Sequence, residues 1–151
     1  MSRLKIIDRI AISSMLMAVV AIPLAASAFS LESGSMPAAR VPLENGAQRQ
    51  FFTSGPFGTT TYRVDVSPSG QVVARTQVLT DDVFRSIRAG MPASEAFTLI
   101  GPPHSKMRFE STHVTAWDYH YRDTWGYTSE FSVMVDEEGI VAGTFRVREG
   151  E

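Results

Sequence analysis

The chain has 151 residues, 44% of them hydrophobic and 20% charged, a globular composition that excludes a mostly disordered protein. A formal net charge of −2 with no basic stripe excludes the electrostatic footprint of a nucleic-acid binder. Cysteine is absent, which excludes disulfides, thiol catalysis, thiolate-bound metals and a lipid attached through an N-terminal cysteine.

Residues 1–28 have the pattern of a secretory signal. Arg3, Lys5 and Arg9 form a positive head, and Ile10 to Leu24 is an apolar run that contains Pro23. Ala26–Ser27–Ala28 has the small-x-small form of a cleavage site. The run is shorter than the roughly 20 residues a spanning helix needs; the alternative is an uncleaved N-terminal anchor. Cleavage would remove Arg3, Lys5, Arg9 and Asp8, taking the net charge from −2 to −4 and leaving residues 29–151. The expected address is the periplasm or the periplasmic face of an outer membrane.

Residues 29–46 hold Ser, Gly, Pro and Ala without a sustained period and are expected to be a flexible lead-in. Residues 47–79 contain a β-hairpin pattern. Tyr62, Val64 and Val66 alternate, Ser67 to Gly70 makes a turn, and Val72, Ala74 and Val78 alternate again. The same pattern returns in "EFSVMVDEEGIVAGTFRV". Phe131, Val133, Val135, Gly139, Val141 and Val147 stand 69 positions after Tyr62, Val64, Val66, Gly70, Val72 and Val78. A shared offset through both arms and the turn glycine points to an internal repeat, although any two hairpins share alternation.

Helical material lies between the two hairpins. Thr80 or Asp81 is the expected cap of a short helix carrying Val83, Phe84 and Ile87. In "GMPASEAFTLIGPP", Ala93, Ala96, Phe97 and Ile100 share one helical face, with Pro92 at the expected first position. Gly101 and the two prolines after it end that helix. A helix this short needs packing partners, and Trp117, Tyr119 and Tyr121 on one face of the next strand supply them. The polar positions Asp118, His120 and Arg122 alternate with these rings. With the second hairpin this makes a three-stranded meander over residues 80–148. The expected fold class is α+β: two short helices packed on one face of an antiparallel sheet, extended by the preceding hairpin as a degenerate repeat.

This order of elements resembles the SmpA/OmlA domain of the BamE family, accessory proteins of outer-membrane β-barrel assembly. The resemblance rests on Gly90 and Met91, on Leu99, Ile100, Gly101 and Pro103, and on Trp117 and Tyr119. It continues through Phe131, Val133, Val135, Asp136, Gly139 and Val141. It implies a non-catalytic scaffold or accessory subunit that binds envelope proteins, among them barrel-assembly subunits, and touches lipid of the outer membrane. Two departures stand out: Pro92 replaces the usual threonine cap, and the cysteine that typically carries the family's lipid anchor is missing. Similar folds serve in secreted β-lactamase inhibitors, so a soluble inhibitor of a periplasmic hydrolase is the second reading and an uncharacterised enzyme the third.

A search for chemistry finds little. His104, His113 and His120 show no metal-ligand spacing. Asp118 and Asp123 flank the aromatic strand, the turn carboxylates Asp136 to Glu138 read as solvated, and with no defined pocket paired-carboxylate catalysis is not expected; Ser33–Gly34–Ser35 lacks a nucleophile-elbow context. There is no phosphate loop or dinucleotide fingerprint, so neither a cofactor, a metal nor catalysis is expected. Loop aromatics and an arginine are common interface anchors. Phe57, in the earlier loop, and Arg122, Trp125 and Tyr127, in "RDTWGY", are therefore the candidate protein-binding residues, with core packing of the same rings as the alternative.

Overall fold

The computed structural model describes residues 36–149. Its eight strands form two antiparallel four-stranded sheets, each a meander in chain order. Sheet 1 comprises β1 (Ala39–Pro42), β2 (Gln48–Thr53), β3 (Thr61–Val66) and β4 (Val72–Gln77). Sheet 2 comprises β5 (Ser105–Phe109), β6 (Val114–Arg122), β7 (Thr128–Val135) and β8 (Val141–Arg148). Between them lie α1 (Asp81–Phe84) and α2 (Ala93–Ile100).

The α+β expectation is thereby corrected. The chain is mostly β, and the early hairpin belongs to a separate sheet instead of extending the later one. Three strands go beyond the expected hairpins and meander: β1, β2 and β5. The first of these falls inside the stretch expected to be a flexible lead-in. Their brevity and charge hide them: β1 ends on Pro42, and β5 is exposed at every position.

The β3–β4 and β7–β8 hairpins share one register. In sheet 1, Tyr62 pairs with Gln77, Val64 with Arg75 and Asp65 with Ala74, and the register shifts between Asp65 and Val66. In sheet 2, Phe131 pairs with Arg146, Val133 with Thr144 and Met134 with Gly143, and the shift falls between Met134 and Val135. Every one of these positions is displaced by 69, the bulge included. The turns correspond as well. Ser67 N–H donates to Gln71 O in one, and Asp136 N–H to Ile140 O in the other. Gly70 and Gly139 occupy φ of 85° and 77°, which a Cβ disfavours.

Thr80 caps α1, its hydroxyl accepting from Val83 N–H at 3.4 Å. Pro92 caps α2 through its backbone and sits just outside the helix, at ψ 134°. Gly101 then leaves α2 at φ 79° and ψ −163°, a region open in practice to glycine. A Cβ there would come 2.5 Å from the Phe51 ring.

The main core lies between the helical segment and the inner face of sheet 2. Phe84 stacks on Phe131 with ring centroids 4.0 Å apart and meets Tyr121 edge-on at 4.8 Å. Tyr119, Val133, Val141, Ile100 and Ala96 complete it, all fully buried. Each large buried side chain contributes about 1.5–3 kcal/mol. Phe97 meets Trp117 edge-to-face at 6.4 Å, so α2 covers the same face of β6 that carries the aromatic row.

The other flank of α2 receives sheet 1. Phe97 also touches Phe51, at 6.0 Å. Arg49 donates to Thr98 O and Arg63 to Leu99 O, placing two cations against the open carbonyls at the helix C-terminus. Arg49 is held for this by a two-bond pair with Asp65, at 2.7 and 2.8 Å.

Candidate binding surface

The loop between β6 and β7 runs from Asp123 to Tyr127 and is closed by Asp123 N–H donating to Tyr127 O. One oxygen of the Asp123 carboxylate accepts from the N–H groups of both Trp125 and Tyr127, at 2.9 Å each. The other accepts from Arg148 at 3.1 and 2.9 Å. Arg122 donates to Gly126 O, and Thr124 N–H donates to Asp81 at the start of α1. Burial raises the Asp123 carboxyl, but the hydrogen bonds from Tyr127, Arg148 and Trp125 outweigh it and leave the group below its ordinary value.

Asp81 ties the loop to the rest of the domain. Its carboxylate also accepts from Arg146 at 3.0 Å and from the Tyr121 hydroxyl at 3.2 Å. Burial first, and then the Asp81 charge, raise the Tyr121 phenol. These groups frame a polar cleft of about 420 Å³ beside Trp125.

On this hydrogen-bonded loop Trp125 is 79% exposed, and its ring has no ring or cation partner among the described residues. Tyr127 is 56% exposed and lies under the Arg148 guanidinium at 4.8 Å. Phe57, 88% exposed, stands on the β2–β3 loop. The structure thus brings Arg122, Trp125 and Tyr127 together. No hydrogen bond, ion pair or ring contact among the described residues joins Phe57 to them. Arg148 and Asp81, which organise the loop, escape sequence reasoning because they lie 25 and 43 residues from the groups they bind.

Two of the three histidines meet. His104 and His120 have ring centroids 5.4 Å apart, and His104 Nδ1 accepts from His120 N–H at 3.2 Å. The pairing of Ser105 with Asp118 creates this approach across 16 residues. His104 Nε2 is buried without a partner in hydrogen-bonding geometry. Burial lowers the His104 imidazole and the neighbouring His120 adds to this, while the Gly58 backbone pulls more weakly the other way. His113 stands apart at a positive φ of 54°, near Glu137.

The outer face of sheet 2 was not anticipated. Asp118, on the polar side of β6, is 8% exposed and accepts from Ser132 Oγ at 2.7 Å and Ser105 Oγ at 3.0 Å. No imidazole bonds either hydroxyl among the described residues. Asp118 lies in a groove of about 640 Å³ walled by Met107, Phe109 and Phe145. The period-two spacing of Met107 and Phe109 was the available signal. Among the described residues no group of three or more His, Asp or Glu side chains could hold a metal ion.

Compared with protein-family models, with curated proteins and with solved structures, the chain matches none.

Proposed function

We propose that this protein is a non-catalytic binding module of the bacterial envelope, an accessory subunit of the kind that the SmpA/OmlA resemblance implies. The observation that carries this reading is an exposed Trp125 on a loop already fixed by Asp123, Arg122, Arg148 and Asp81. A large ring shown in a preordered conformation binds without the entropy cost of ordering its loop, which is the physical profile of an interface anchor. The envelope address rests on the signal pattern of residues 1–28, which lie outside the described residues.

Affinity capture from envelope extracts, wild type against Trp125→Ala/Tyr127→Ala, tests this reading. The double variant should stay folded by circular dichroism and retain its partner at least about 30-fold less, as expected for losing roughly 2 kcal/mol at an anchor. A folded variant that keeps every partner overturns the reading. A single stoichiometric hydrolase, inhibited on binding, would move the assignment to the inhibitor class.

A further inference from the structure

The groove on the outer face of sheet 2 is a second surface, independent of the Trp125 loop. Two rows of side chains across the sheet build it. One row is Met107, Ala116, Met134 and Gly143, and the next is Ser105, Asp118, Ser132 and Phe145. Ala116 and Gly143 make a low floor, while Met107 (56% exposed) and Phe145 (60% exposed) stand as apolar walls. Gly143 has an ordinary backbone conformation, and a Cβ there would meet nothing within 4 Å. The backbone therefore does not demand glycine at this position, and its small size keeps the groove open.

The titratable groups lining the groove are Asp118 and Glu130, both acidic. Asp118 is buried in the floor, held by two hydroxyls, and has no ion-pair partner among the described residues. A carboxylate removed from water without a counter-charge is costly. A cation arriving in an apolar sleeve would relieve that cost. Exposed methionine at the wall suits a side chain of irregular shape.

We infer that this groove docks an apolar segment of a partner protein carrying one basic side chain, seated with its charge against Asp118. Three capped pentapeptides test this, Leu-Leu-X-Leu-Leu with X as Lys, Gln or Glu. Each is titrated into the full chain and followed by the ¹³C-methyl signals of Met107 and Met134. The Lys peptide should shift both signals and bind at least about tenfold more tightly than the Gln peptide, with the Glu peptide weakest. Asp118→Asn should abolish the preference for Lys over Gln. Gly143→Leu, which fills the groove, should abolish binding of all three while the thermal midpoint holds.

Equal affinities for the three peptides, shifts confined to other methionines, or no binding at millimolar peptide would overturn the inference. So would dodecyltrimethylammonium shifting the two methyls where the Lys peptide does not, which marks a small-amphiphile site. Signals that move with the protein's own concentration would instead mark a self-interface and equally overturn it.

Discussion

Sheet 1 and sheet 2 share a hairpin register, a bulge and a turn, yet they carry different loads. The β7–β8 hairpin places Phe131, Val133 and Val141 in the main core, all fully buried. The β3–β4 hairpin does not repeat that arrangement: Arg63, whose counterpart in sheet 2 is Ser132, donates to Leu99 O, and with Arg49 and Phe51 of β2 it meets α2 through arginine–carbonyl hydrogen bonds and a ring edge. β3 buries only Thr61 and Val64, whereas its counterpart β7 buries most of its positions. One backbone plan thus serves two purposes: backbone pairing and turn glycines set the shape, and side chains decide which copy becomes the core.

The largest test of this comparison is Gly101→Ala, at the junction of the two sheets. The new Cβ would collide with a fully buried Phe51 ring and occupy strained dihedrals. A loss of about 3 kcal/mol is expected in urea denaturation. A change below about 1 kcal/mol would mean that sheet 1 yields freely and adds little to the fold.

Gly70→Ala and Gly139→Ala compare the copies directly. Both glycines sit at positive φ with open space for a Cβ, so the cost is backbone strain alone, about 1 kcal/mol in each case. Equal losses would show that both hairpins unfold in one cooperative transition. A loss at Gly139 without one at Gly70 would show sheet 1 opening before the core.

The smallest effect concerns acid. Hydrogen bonding to Arg49 lowers the Asp65 carboxyl, against the opposing pull of burial. Below the ordinary value of 3.8 the unfolded chain takes up this proton more readily than the folded one. The stabilisation is therefore present above that value and is lost as pH falls through the lower, folded value. Asp65→Asn should reduce stability at pH 6 and flatten its decline between pH 5 and pH 2, read from the urea midpoint. An unchanged slope would remove the Arg49–Asp65 pair from the account of how sheet 1 holds α2.

Both hairpins, the aromatic row of β6 and the face of α2 could be read from the chain, because each is a local period or a glycine with a local conformational reason. Phe57, Arg122, Trp125 and Tyr127 were readable as loop residues for the same cause. The clamp of Arg148 on Asp123, the meeting of His104 with His120 and the groove around Asp118 were not readable. Each depends on strands that pair across 13 to 25 residues.

Residue order alone therefore determined the hairpins, their common offset and the stop at Gly101, since periodicity and dihedral preference act over a few neighbours. Tertiary structure alone decided that the strands divide into two sheets and that α2 lies between Phe51 and Trp117. It also decided that Asp118 is buried between two serine hydroxyls. Strand partners and burial follow from which apolar and charged surfaces meet in space, and those meetings are made between residues far apart in the chain.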